Sequence, residues 1–266
     1  MSDPTHHAYA ASPASPASPA SPASPASPIP RVGDRHAHEA VHGGAVKEMF
    51  DRIAPTYDVL NRVMSAGIDK AWRRRAIREL DGAPPGAALD LCAGTMDLTL
   101  LLAEARPGAR IVASDFAAQM LDAGKTKVPR AERVVADAMD LPFGDAEFAA
   151  AVCGFGMRNL SDTAKGAREA RRVLLPGGVF VTLEFFRPER TVTRLFHAAY
   201  ASYVLPTVGG LVSGDRTAYA YLARSMQGFL SRNEYEQMLV REGFTNVRGH
   251  DLTLGVASIV RAEVPR

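Results

Sequence analysis

The chain has 266 residues, 47% hydrophobic and 23% charged, and its 31 basic against 29 acidic side chains leave a formal net charge of +2. That near-neutral balance argues against a broad nucleic-acid-binding surface, and the composition is ordinarily globular. Cys92 and Cys153 are the only cysteines, which excludes a disulfide scaffold or a Cys-rich zinc site and fits a reducing, cytoplasmic setting.

The N-terminal stretch carries six copies of Ala-Ser-Pro between Ala11 and Pro28. A proline every third residue removes backbone donors and restricts the residue before it, so neither helix nor ladder forms. Residues 1–45 are therefore expected to be a disordered, partly polyproline-II tail. A docking ligand for a proline-reading partner is the other reading. His36, His38 and His42 lie in this tail without a cysteine beside them and are not assigned a metal. No apolar signal core stands at the start, so no secretion signal is expected. No apolar run reaches the roughly 18 residues of a membrane span.

The remaining 46–266 read as one α/β domain. Val46, Met49, Phe50 and Ile53 repeat at helical spacing, interrupted at Pro55. A second helical stretch runs from about Tyr57 to Leu80, broken at Gly67 and stopped by Pro84-Pro85-Gly86. Strands and helices then alternate. Strands are predicted near 87–92, 111–114, 133–136, 148–153 and 179–185. Helices are predicted near 98–105, around Met120, and over 163–174. After an aromatic, glycine-rich insertion of about 45 residues come a helix near 232–242 and two strands, 246–252 and 255–262. Such alternation predicts a mainly parallel sheet covered on both faces, closed by a hairpin.

In sheets of this kind the ligand sits at the carboxyl ends of the strands, where the strand order reverses. Cys92–Thr95, Asp115, Asp137 and Gly154–Arg158 are thus expected along one rim. The turn Ala93-Gly94-Thr95-Met96-Asp97 lets backbone approach a ligand. Asp115, at the end of the second strand, can accept both hydroxyls of a ribose. The Gly-x-Gly-x-x-Gly pattern of a pyrophosphate site is absent, and Asp97 would repel an anion. Asp90, Asp97, Asp115 and Asp137 suit a cationic ribose-bearing ligand such as S-adenosylmethionine. Asp137 can take the adenine amine, and Ala138 is small enough to admit the ring. The plainer alternative is a glycine turn with Asp97 as a helix cap.

With these pieces placed, the chain resembles the ubiquinone/menaquinone biosynthesis C-methyltransferase family. The resemblance rests on Tyr57-Asp58-Val59-Leu60-Asn61 with Met64-Ser65 and Trp72, and on Phe155-Gly156-Met157-Arg158-Asn159. It continues through Leu183-Glu184-Phe185, Val204-Leu205-Pro206 with Gly209, and Tyr219 to Ser225. It implies a Rossmann-like class I methyltransferase with a seven-stranded, mostly parallel sheet, the last strand antiparallel. The implied reaction moves a methyl from S-adenosylmethionine to a ring carbon of a prenylated quinol. Cofactor-binding positions then fall on Thr95, Asp115, Asp137, Ala138 and Gly154, with Gly94 in the turn. Met96 stands where the family usually has Gly, and Gly154 where it often has Ser.

Carbon methylation needs an electron-rich ring with its oxygen charge stabilised. Arg158 and Asn159 are the candidates for that oxygen. Guanidinium stays protonated, so Arg158 would stabilise phenolate or position a water that removes the proton. A simple ion pair with a neighbour such as Asp162 is the plainer reading. Tyr57 and Asp58 are candidates to close the N-terminal helices over the site, or else a helix cap with a packed aromatic. The apolar insertion 186–230 suggests a tunnel for a prenyl tail, a homodimer surface or cover for the sheet. Trp72 with Arg73, Arg74, Arg75 and Arg78 suggests transient contact with the inner face of a membrane, or a solvated basic helix face. Two other functions remain open: methylation of another small aromatic or lipid acceptor, and a degenerate homologue that acts as a binding subunit.

Overall fold

The computed structural model describes residues 44, 46–65, 67–189, 193–194, 221 and 225–266. The Ala-Ser-Pro tail and most of the aromatic insertion, with His197, lie outside the described residues.

Strands β1 (Ala88–Leu91), β2 (Ile111–Asp115) and β4 (Phe148–Gly154) are short apolar runs without alternation. All but the last residue of β4 are buried, as parallel strands covered on both faces require. With β3 (Glu132–Val135), β5 (Leu174–Glu184), β6 (Thr245–Leu252) and β7 (Ala257–Glu263) they form one sheet of order β3-β2-β1-β4-β5-β7-β6. Pairing is parallel from β3 to β5, and β7 runs antiparallel to both β5 and β6. The predicted closing hairpin is present.

The helical residues 46–53 (α1) lead into α2 (Tyr57–Met64) and α3 (Asp69–Arg78). Gly67, at φ +79°, makes the break between the last two in a conformation that side chains disfavour. Then come α4 (Asp97–Ala105), α5 (Ala118–Gly124), α6 (Thr163–Val173) and α7 (Arg232–Arg241). Trp72, Ala76 and Ile77 of α3 and Leu98 and Leu102 of α4 cover one sheet face over Ala88, Val152 and Val181. Ala167 and Ala170 of α6 and Tyr235 and Leu239 of α7 cover the other over Leu89, Ala151 and Phe180. Burying one such large apolar side chain stabilises by about 1.5–3 kcal/mol. Ser231 caps α7 in a reciprocal pair with Glu234, worth about 1 kcal/mol.

Three local expectations shift. The helix predicted to Leu174 ends at Val173, and β5 starts at once rather than at Val179, with a register shift against Phe148 and Ala150 that absorbs Pro176-Gly177-Gly178. Asp97 is the first residue of α4 and not its cap; the cap position is Met96, in the left-handed region at φ 67°. Trp72 (6% exposed) and Arg73 (8%) are packed inside, which leaves Arg74, Arg75 and Arg78 exposed on α3. Among the described residues, no helix is long and apolar enough to cross a membrane.

Candidate active site

The strand order reverses between β1 and β4, and the chain turns sharply at the carboxyl ends of both. Cys92 (φ 56°), Gly94 (φ 52°) and Met96 (φ 67°) after β1, and Phe155 (φ 60°) after β4, all adopt left-handed backbone. Such a cluster of disfavoured conformations is held by its surroundings and marks functional turns. Asp115 ties the rim together. Its Oδ2 accepts the Gly94 N–H at 2.8 Å, and its Oδ1 accepts the Ala117 N–H at 2.9 Å. Each oxygen keeps a lone pair for a ligand. Burial raises the Asp115 pKa to about 6, against the pull of those two amides.

A cavity of about 570 Å³ opens beside this turn, within the usual range for a small-molecule site. Gly94, Asp115, Asp137, Ala138, Gly154 and Asn159 all line it, as does Tyr57 from α2. Asp137 accepts the Met139 N–H at 2.8 Å, which fixes its carboxylate at the rim. Phe50 meets Tyr57 and Phe116 edge to face in the same cavity wall, with ring centroids 6.2 and 6.3 Å apart. Of the two cysteines, Cys92 lines the cavity, while Cys153 is buried near the end of β4.

Three candidates stand behind the cavity wall. The Thr95 hydroxyl donates to Asp58 Oδ1. The other Asp58 oxygen pairs with Lys127 Nζ at 2.5 Å, and Lys127 also holds Asp97 at 2.6 Å. Thr95 and Asp58 thus brace α2 against the turn that follows β1. Arg158 lies one residue from Asn159 but opens on a neighbouring recess. Its Nη1 donates to Glu184 Oε1 at 2.6 Å and to the Phe155 carbonyl at 2.6 Å. Its backbone N–H reaches Glu184 Oε2 at 3.3 Å. Glu184 is wholly buried, and burial raises its pKa against the opposing charge of Arg158. Asp162, the sequence neighbour considered for Arg158, instead caps α6 by accepting the Lys165 N–H at 2.8 Å. Asn159 donates to the Phe155 carbonyl at 3.2 Å and accepts from the Tyr221 hydroxyl at 3.0 Å.

The two departures from the family pattern have local accounts. Met96 is fully buried in the core beneath the turn, against α5, and is absent from the cavity wall. A Cβ at Gly124 would come 2.9 Å from Met96 Cγ and 2.5 Å from the Thr95 carbonyl, so glycine there lets α5 close on the turn. At Gly154 the Leu98 side chain reaches within 2.4 Å of where a Cβ would stand. Glu184, Lys127 and Ser114 were not singled out for the site from sequence. The signal available for Glu184 and Ser114 was a polar side chain in an otherwise apolar buried strand. Ser114 Oγ, in the cavity wall, has no partner among the described residues, and a ligand hydroxyl would satisfy it. The residues present therefore fit an adenosyl ligand: ribose acceptors on Asp115, small residues beside it, and no phosphate cradle.

The ubiquinone/menaquinone biosynthesis C-methyltransferase UbiE of Geotalea daltonii is 41% identical over 228 residues, 83% of this chain and 97% of that one. The demethylmenaquinone methyltransferase of Thermus thermophilus is 44% identical over 215 residues, 79% of this chain and 97% of that one. A solved S-adenosylmethionine-dependent methyltransferase of Thermotoga maritima shares the fold at a TM-score of 0.59 and 16% identity, covering 81% of this chain and 98% of that one. Residues 37–263 match the ubiE/COQ5 methyltransferase family, and the chain belongs to it.

Proposed function

We propose that this chain methylates a ring carbon of a prenylated quinol, with S-adenosylmethionine as donor, in respiratory quinone biosynthesis. The observation that carries the reading is the junction of two spaces at residues 158–160. Asn159 lines the cavity beside Asp115, Arg158 lines the adjoining recess, and Leu160 lines both. A donor on one side and an acceptor ring on the other would meet there.

When bound, S-adenosylmethionine supplies an electrophilic sulfonium methyl. Asp115 would hold the ribose hydroxyls, Asp137 and Ala138 the adenine edge, and Gly94 and Gly154 would allow close backbone approach. Arg158 and Asn159 would hold the quinol oxygen and stabilise the negative charge that makes the ring carbon nucleophilic. The ring carbon would take that methyl, the new C–CH₃ bond replacing the bond to sulfur, and the proton left on the methylated carbon would pass to a water that Arg158 places. Tyr57 and the Thr95–Asp58 contact would keep α2 closed over the donor and exclude bulk solvent. A prenylated acceptor resides in a bilayer, and the exposed Arg74, Arg75 and Arg78 would favour visits to an anionic surface.

The test is direct. Purified protein is incubated with S-adenosylmethionine and with the demethylated benzoquinol and naphthoquinol, and products are read by mass. A gain of one methyl on the ring of either quinol is expected. No transfer to either, with the cofactor bound, would move the acceptor to another aromatic or lipid class. No cofactor binding by calorimetry would leave a non-catalytic binding subunit.

A further inference from the structure

Part of the cavity wall comes from helices that precede the sheet. Lys47 and Phe50 of α1 and Tyr57, the first residue of α2, line it together with Gly94 and Asp115. The apolar hold on these helices is small: Ala54 packs with Ala117 and Met120, ringed by Phe50, Tyr57 and Phe116. This cluster stands apart from the two large ones that cover the sheet. Elements with few buried apolar contacts open at lower free energy than the core. Polar ties therefore matter more here than elsewhere.

The ionic tie converges on Lys127. Its Nζ lies 2.5 Å from Asp58 Oδ2 of α2 and 2.6 Å from Asp97 Oδ1, at the start of α4. Asp58 accepts the Thr95 hydroxyl on its other oxygen. One ammonium thus joins α2, α4 and the turn after α5. That turn is firmly seated: the Lys127 N–H donates to the Gly124 carbonyl at 2.9 Å, and Val128 is buried in the core. The two carboxylates depend on Lys127 unequally. Asp97 also faces Arg73 Nη2 at 3.8 Å, whereas among the described residues the cation paired with Asp58 is Lys127. Loss of the ammonium would leave α4 partnered and free the α2 end.

We propose that Lys127 is a positioning residue that latches α2 over the cavity and sets how fast the donor leaves. Lys127 does not line the cavity and acts through Asp58, whose neighbour Tyr57 does. The proposal rests on the S-adenosylmethionine reading of the cavity. Asp58 and Asp97 are 36% and 31% exposed, so salt reaches the latch and weakens it.

Lys127→Met removes the charge and keeps the stem, and Lys127→Arg restores a cation. On immobilised protein, Lys127→Met should speed dissociation of S-adenosylmethionine about fivefold or more, with Lys127→Arg within about twofold of wild type. Raising salt from about 0.05 to about 0.5 M should speed release from wild type and leave Lys127→Met unmoved. Asp58→Asn should match Lys127→Met, and the double variant should be no faster than either. Hydrogen exchange without ligand reads the latch apart from the cofactor. In Lys127→Met the α2 amides should exchange about fivefold faster or more, and those of β1 and β4 at the wild-type rate. An unchanged dissociation rate in Lys127→Met overturns the proposal. So does faster exchange throughout the sheet, which would make Lys127 an ordinary stabilising residue. Wild type that fails to bind S-adenosylmethionine would sink the donor reading, while α2 exchange would still decide whether the latch exists.

Discussion

Arg158 Nη1 lies 2.6 Å from Oε1 of Glu184, and both side chains are buried. The same nitrogen donates to the Phe155 carbonyl, and the guanidinium sits over the Phe185 ring at 5.7 Å. These contacts leave it one orientation. Removing Arg158 alone strands a buried carboxylate, at a cost of about 3–5 kcal/mol, so Arg158→Ala mixes lost chemistry with lost stability. Glu184→Gln separates them, because an amide keeps the shape and an acceptor while the ionic hold on the guanidinium goes. Its kcat should fall about tenfold or more, with the S-adenosylmethionine Kd within about twofold of wild type. Steady-state kinetics on folded protein, with calorimetry for the cofactor, checks this. An unchanged kcat would show that Glu184 does not position Arg158.

With Asp115 as the proposed ribose acceptor, cofactor affinity should depend on pH. Burial raises its pKa to about 6, so in the free protein it is ionised above that value and protonated below it. A ribose hydroxyl donates to the ionised form and loses an acceptor when the group is protonated. Kd for S-adenosylmethionine should therefore be flat above about pH 7 and rise as pH falls through 6, by at most about tenfold per unit for one proton. Asp115→Asn should bind weakly throughout and flatten the profile. Calorimetry between pH 5 and 8 gives both curves, and an identical slope in the variant would assign the dependence to another group.

Asp90 controls stability in the same range. It is fully buried, with Thr99 Oγ1 donating to its Oδ2 at 2.6 Å and no partner on Oδ1 among the described residues. Burial raises its pKa from 3.8 to about 7, so the folded state prefers the neutral acid. The associated stability is fully present below the unfolded pKa and is lost as pH rises through about 7. The shift corresponds to about 4 kcal/mol at most. Asp90→Asn keeps an acceptor for Thr99 and removes the titration. Relative to that variant, wild type should lose stability between pH 4 and 8 in urea melts. Parallel curves would show that Asp90 ionises without cost.

The rim was legible because its punctuation is local. Apolar runs ending in Cys92, Asp115 and Gly154 mark buried parallel strands, and topology places such ends side by side. The pairing of side chains across the rim was not legible. Arg158 has Asp162 four residues away, yet its partner is Glu184, because Gly154 pairs with Leu183 across β4 and β5. Asp58 meets Thr95 and Lys127 only once α2 folds back over the turn. β5 began five residues early for a related reason: Pro176-Gly177-Gly178 reads as a stop, but a register shift carries it within the strand.

Met96 sets two effects against each other. A side chain at φ 67° costs about 1–2 kcal/mol, which glycine would recover. The same side chain is fully buried with the α3–α4 core, and truncating a buried Met costs about 2–5 kcal/mol. Glycine adds a further loss of about 0.5–1 kcal/mol in unfolded-chain entropy. Burial wins, so Met96→Gly should destabilise the fold by about 2 kcal/mol, read from denaturant melts. Because Met96 is absent from the cavity wall, the S-adenosylmethionine Kd of the folded variant should stay within about twofold of wild type. A gain in stability would mean that backbone strain dominates at this turn. A large gain in affinity would mean that the methionine crowds the donor after all.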